Sequence, residues 1–245
     1  MPSRRVRSRR AIVVALAVAV GAGGAAIAVL ATRSSPTSHA AAAPSTTTTT
    51  TAPPTTTTAS TTTTTTTDPG TLPQTMQLPT STDPQFAAEM QALWQGVVQG
   101  SVTPALPAFF PKTAYVQLKT GLGDPAGDWQ NRLVADYGLD IGAAHALLGP
   151  DAAQATFVSV SVPQQYAHWI PPGVCANGIG YYEVANSRVV YQLGGVTKSF
   201  GIASLISWRG EWYVVHFGAI LRPGGGGEVD DPETGAGYSA ASSTC

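Results

Sequence analysis

Apolar positions along this 245-residue chain fall into three regimes: one unbroken run, a long polar interval, and a segment whose period changes from helical to alternating. The unbroken run, Ala11 to Ala31, holds 21 residues without a charged side chain. At about 1.5 Å of rise per residue it reaches ~30 Å as a helix, the hydrocarbon thickness of a bilayer, and so predicts a transmembrane segment. Arg4, Arg5, Arg7, Arg9 and Arg10 precede it and only Arg33 follows closely. That asymmetry places the N-terminus in the cytoplasm and the rest of the chain outside. A cleaved signal peptide, processed near Ala40 to Ala43, is the competing reading; an apolar region longer than the usual ~7–15 residues favours the uncleaved anchor.

The polar interval centres on residues 46–67, which hold seventeen threonines interrupted by Ala52, Pro53, Pro54, Ala59 and Ser60. So little apolar surface cannot form a core. Threonine with proline reads as an extended stalk, open to O-glycosylation and able to reach on the order of 100 Å at ~3 Å per residue.

Helical spacing begins at Asp83-Pro84, an N-cap followed by proline at the first helical position. Phe86, Met90, Leu93, Trp94, Val97 and Val98 then recur every three or four residues until Gly100. A second helix, capped by Asp128, carries Trp129, Leu133, Tyr137, Ile141, Ala144 and Leu148; Gly138 and Gly142 weaken it, each by ~1 kcal/mol against alanine. Between the two, Pro104, Pro107 and Pro111 exclude a long helix, and Thr113 to Lys119 reads as a short strand or helix.

From residue 154 the period becomes two. Thr156, Val158, Val160 and Val162 line one side of a strand that Pro163 ends. Gly180 to Leu193 reads as a hairpin turning at Asn186-Ser187, with Tyr182, Val184, Val189 and Tyr191 on one face. Lys198 to Ile220 reads as a hairpin turning at Arg209-Gly210. Its helix-facing side carries Phe200, Ile202, Ile206, Trp208, Tyr213, Val215 and Phe217, and its reverse side Leu205, Ser207, Trp212, Val214 and His216 among small residues. The chain thus divides into a cytoplasmic basic segment (1–10), a transmembrane helix (11–31), a stalk (32–82), a globular ectodomain (83–222) and a Gly-rich acidic tail (223–245). The tail reads as disordered unless a disulfide ties it down.

Charge changes the picture of partners. The net charge of −1 hides a segregation, because residues 68–245 carry seven basic and fourteen acidic side chains, a net −7. An acidic ectodomain excludes nucleic acid, whose binding rests on neutralising phosphates, and suits a basic protein partner. Cys175 and Cys245 are the only cysteines. In an exported chain they are a disulfide candidate; two unpaired thiols or an intermolecular bridge are the alternatives.

Helices first and antiparallel strands afterwards is an α+β order: N-terminal helices packed on a curved, mostly antiparallel sheet. In this order residues 84–221 resemble the nuclear-transport-factor-like (cystatin-like) fold. The stretches Gly127-Asp128-Trp129-Gln130-Asn131-Arg132-Leu133 and Ser199-Phe200-Gly201-Ile202-Ala203-Ser204-Leu205-Ile206-Ser207-Trp208-Arg209-Gly210 are similar to uncharacterised envelope proteins of high-GC Gram-positive bacteria. The first resemblance implies a concave sheet in which enzymes of the group place acid, histidine and tyrosine side chains; no motif here matches theirs residue by residue, so no role is carried over. The second implies a place in the envelope.

The candidate chemistry is sparse. His216 falls on a strand beside Gly201 and Gly218, where missing side chains leave room for a ligand, and its ring titrates near neutral pH. His145 falls in the second helix and His168 in the Tyr166–Pro172 loop, and no histidines or cysteines stand at metal-ligand spacing, so no metal or cofactor is expected. Asp136 and Asp140 lie one helical turn apart, with Arg132 a turn before as a surface ion-pair partner. Trp169 to Cys175 joins an aromatic, two prolines and a cysteine in one loop. No phosphate loop or nucleophile elbow is present. Two functions follow as expectations. The first is a non-enzymatic envelope domain, held to the membrane through residues 11–31, that binds a protein partner through the Trp212 face of the last hairpin. The second is a small-molecule pocket using His216 with Tyr181, Tyr182 and Tyr191. A scaffold inside a larger membrane complex is a third reading that the sequence does not separate from the first.

Overall fold

The computed structural model describes residues 67–242 and 245; the expected transmembrane helix and nearly all of the threonine tract lie outside the described residues. Among the described residues no helix is long and apolar enough to cross a membrane. The described chain is α+β, with helices preceding a curved, mostly antiparallel sheet of six strands.

The first helix follows its sequence signals closely. α1 (Pro84–Gln99) starts where the Asp83 carboxylate accepts the Gln85 amide at 2.8 Å, and stops where Gly100 turns left-handed at φ 63°. Its buried face is Phe86, Met90, Leu93, Trp94 and Val97, as the spacing predicts. A short α2 (Val102–Ala105) leads to α3 (Lys112–Leu118), the helical choice for that stretch. The second long helix begins earlier than expected, because Asp124 and not Asp128 caps it by accepting the Gly127 amide. It runs as α4 (Pro125–Asp128), one π-helical turn (Trp129–Leu133) and α5 (Val134–Leu148). The wide turn is where it departs from α geometry, and Leu133, Tyr137, Ile141, Ala144 and Leu148 still face the core.

The sheet is built on two 13-residue strands, β3 (Tyr181–Leu193) and β4 (Val196–Trp208). β1 (Thr156–Ser161) and β2 (His168–Ile170) share the outer edge of β3. β5 (Glu211–His216) and β6 (Asp230–Thr234) share the outer edge of β4. The hairpin expected at Asn186-Ser187 does not exist. Tyr181–Leu193 is one continuous strand, and the chain turns at Gly194-Gly195, both with positive φ, between the paired Leu193 and Val196. β3 is buried on both faces, so period two is lost and a two-glycine turn was the informative signal.

The turn at Arg209-Gly210 matches its expectation: both residues have positive φ, the conformation that matches the twist of a tight hairpin. The register beyond it does not. A bulge between Leu205↔Val214 and Ser204↔His216 places His216 opposite Ser204, so it leaves the Trp212 face to which strict alternation assigns it.

Both ends of the described chain are folded. Residues expected to belong to the stalk pack on the β4–β5 turn: Trp208 Nε1 donates to Pro69 O at 3.0 Å, and Gln74 both donates to Ser207 O and accepts from the Arg209 amide. The tail, expected to be disordered unless tied, forms β6 and covers Arg188. That side chain is 3 % exposed and holds Asp231 at 3.0 Å, Glu233 at 3.5 Å and Ser199 Oγ at 2.9 Å.

Cys175 and Cys245 are joined in a disulfide, their Cα atoms 5.9 Å apart across 70 residues of sequence. In the chain-entropy picture a loop of that length stabilises by about 4 kcal/mol. Cys175→Ser in the full chain is expected to lower stability by about 2–5 kcal/mol, read as the urea midpoint under oxidising conditions. An unshifted midpoint would mean that β6 and Arg188 hold the tail without the bridge.

Candidate functional site

His216 sits in a polar network on the sheet. Ser204, opposite it in register, donates to Glu183 Oε1 at 3.1 Å, and His168 Nε2 lies 3.5 Å from Glu183 Oε2. Burial, with Arg132 and Lys119 adding repulsion, pushes His216 down to about 4, so the ring is neutral at pH 7. Burial likewise pushes Lys119 down to about 8. Ser204 and Glu183 are sealed from solvent, and His216 lines none of the four described surface pockets. His216 itself is partly exposed, and with its pKa lowered to about 4 and its ring neutral at pH 7 it is a weak base.

The aromatic candidates are structural. Trp212 is 0 % exposed and its Nε1 has no hydrogen-bond partner, which corrects the expectation that it is presented to a partner. The reverse side of the hairpin is covered: Leu205, Trp212 and Val214 belong to the hydrophobic core. Tyr191 is buried between Trp94 and Phe200, with ring centroids at 5.4 Å and 5.7 Å. Tyr182 and Trp169 are half-buried and meet edge to face at 5.0 Å. Tyr181 is buried; its hydroxyl accepts from Asn177 and lies 3.3 Å from Cys245 Sγ, and burial pushes it up to about 12. Trp169, Tyr181, Tyr182 and Cys175 are thus gathered at the disulfide end of the sheet, where Glu183 bears on both Tyr181 and His216, whereas Tyr191 is packed away from them against Trp94 and Phe200.

The carboxylate pair on the second long helix is divided in role. Asp140 is 0 % exposed, correcting its expected place on the surface. It accepts from the Gly218 amide at 2.8 Å, the Glu228 amide at 3.0 Å and both terminal nitrogens of Arg222. Arg222 reaches Asp136 at 3.5 Å as well. Arg132 pairs with Asp128, one turn before it, and not with its expected partner Asp136, one turn after it.

Two features that the sequence leaves unmarked line cavities. Between α1 and β1 runs a groove of about 440 Å³ bordered by Phe86, Met90, Gln91, Phe157, Val158 and Val160. Beside the start of α1 lies a cavity of about 310 Å³ into which Glu89 and Tyr213 project, near Glu211. Burial pushes Glu89 up to about 8 and Glu211 up to about 7. Glu89 lies on a predicted helix and Glu211 on a predicted strand, but only the tertiary fold sets them beside each other. Among the described residues no group of three or more His, Cys, Asp and Glu side chains is placed to hold a metal ion. No family model, curated protein or solved structure matches the chain.

Proposed function

We propose that the chain is an extracytoplasmic binding domain of the cell envelope, tethered through residues 11–31, which takes up an extended segment of a protein partner along β1. The observation that carries this reading is the character of that edge. β1 reads Thr-Phe-Val-Ser-Val-Ser, with neither charge nor proline, and among the described residues it pairs on one side only, with β3. Val158 is 51 % exposed, and the apolar groove against α1 runs alongside. Natural edges are usually blunted by charge, proline or a bulge, and here the bulge at Val158 is the one such device. An added strand would gain main-chain hydrogen bonds from the edge and seat alternate side chains in the groove. The net −7 of residues 68–245 suits a partner segment carrying basic residues.

The nuclear-transport-factor-like likeness stays part of this proposal through its element order, and no enzymatic activity is assigned. A photo-reactive phenylalanine analogue at Val158 in intact cells is expected to cross-link to a partner, and the same probe at the exposed Val116, on α3 and outside the sheet, is not. Adding Ser159→Lys, a charge of the kind that blunts edges, is expected to cut the cross-link at least about tenfold with the thermal midpoint held within ~2 °C. Equal cross-linking with and without the lysine would remove β1 as the recognition element.

A further inference from the structure

We infer that the cavity between the first turn of α1 and β5 is a binding site for an ammonium group carried on an apolar stem. This goes beyond the β1 reading and stands independently of it. Glu89 and Glu211 are each only 7 % exposed. Glu89 Oε1 accepts from Gln85 Nε2 at 2.9 Å, and the same Gln85 nitrogen donates to the Tyr213 hydroxyl at 3.2 Å. Glu89 Oε2 is buried without any hydrogen-bond partner. A buried carboxyl oxygen in that state is costly, and it ionises readily only if a donor meets it.

The charges around it all have one sign. Glu211 on β5 and Asp83 at the helix cap bear on Glu89, Asp83 bears on Glu211, and Glu89, Glu211 and Asp68 bear on Tyr213. Among the described residues neither Glu89 nor Glu211 forms an ion pair with a lysine, arginine or histidine. A cation, which the described chain does not itself supply, is the partner that suits this one-signed surrounding.

The lining narrows its chemistry. Pro69, Leu106, Pro107, Phe109 and Pro111 border the cavity along with Glu89 and Tyr213. Proline has no backbone N–H, so this rim is short of donors, which disfavours an anion. A bare metal ion needs several oxygen ligands, and no group of three or more candidate ligands is present among the described residues. An ammonium brings three donors for Glu89 Oε2, the Tyr213 oxygen and neighbouring acceptors, while its carbon stem lies along the proline rings. A volume of about 310 Å³ accommodates a group the size of a lysine side chain.

Binding is linked to protons. The empty site holds a proton on Glu89, raised to about 8 by burial and then by Glu211 and Asp83. An arriving ammonium keeps its own proton and displaces the carboxyl proton to solvent, leaving an ammonium–carboxylate pair. Affinity therefore rises with pH through the carboxyl range and falls only where the amine itself deprotonates, near ~10.4 for a lysine-like amine.

The test uses the full-length chain in detergent micelles with carboxyl-labelled glutamate, titrated by NMR with n-butylammonium and with n-butanol, its uncharged analogue. The expected result is n-butylammonium binding about tenfold or more tighter near pH 8 than near pH 6, with proton release, and n-butanol binding that is weaker and independent of pH. Glu89→Gln is expected to abolish the preference for the charged probe. N-acetyl-lysine methylamide separates the sources: tighter binding than n-butylammonium assigns the site to a lysine of a polypeptide, and equal or weaker binding assigns it to a free amine. Equal binding of butylammonium and butanol, no butylammonium binding at either pH, or unchanged preference in a folded Glu89→Gln variant overturns the proposal. Should that variant fail to fold, the pH profile and the butanol comparison on the wild-type chain decide the matter.

Discussion

Trp212→Ala is expected to lower the free energy of unfolding by about 3–5 kcal/mol, the range for truncating a large aromatic in a packed interior. Trp212 is 0 % exposed and belongs to the same core as Val184, Leu205 and Val214. Natural domains have only about 5–15 kcal/mol in total, so the variant should be substantially unfolded at modest urea concentration. One correction is built into the native state, because the indole N–H is buried without an acceptor. Trp212→Phe removes that unpaired donor with most of the ring volume retained, and is expected to cost only about 1 kcal/mol. Circular dichroism during urea unfolding measures both. A midpoint for Trp212→Ala equal to that of the wild type would contradict the burial and return this side chain to the surface.

The second large effect is expected at Arg222. Removing the guanidinium by Arg222→Ala leaves the Asp140 carboxylate at 0 % exposure with only the Gly218 and Glu228 amides to hold it. Breaking one side of a buried ion pair in this way typically costs about 3–5 kcal/mol, well above the cost of deleting an exposed pair. Arg222→Ala combined with Asp140→Asn should lose less than the sum of the two single changes, since the neutral amide no longer needs a cation. Urea midpoints across that double-mutant cycle give the coupling directly, and strict additivity would show that the two side chains act separately. Arg132→Ala, which breaks the half-exposed pair with Asp128, serves as the contrast.

These two residues illustrate what could and could not be read along the chain. α1 was legible because Asp83, Pro84 and Gly100 are local punctuation around a helical period, and the structure uses each of them. The Arg209-Gly210 turn was legible for the same reason. The turn at Gly194-Gly195 was obscured because β3 is apolar on both faces, so alternation could not say where the strand ended. His216 moved off the Trp212 face through a single bulge, a feature with no residue signature in Val214-Val215. Asp140 looked like a surface acid because its partner Arg222 lies in a loop far along the chain, and only folding brings the two together. The acid pair of Glu89 and Glu211 was hidden in the same way, since its chemistry comes from burial and from neighbours on other elements.

β6 has a bearing on how many molecules can join. It takes one stretch of the outer edge of β4 as Asp-Asp-Pro-Glu-Thr, with β5 on the other, so that stretch ends in a strand carrying a proline and three acids, two of which, Asp231 and Glu233, pair with Arg188. Such an edge repels further strands. On the far side β1 stays uncharged and accessible. Endless growth of a fibre by strand addition requires two receptive edges on every subunit, whereas one receptive edge permits a single junction and then stops. By laying its own acidic, proline-bearing strand beside Lys198–Gly201, the tail closes that stretch of the β4 edge to strand addition, so the docking proposed for β1 has no counterpart there through which a fibre would grow.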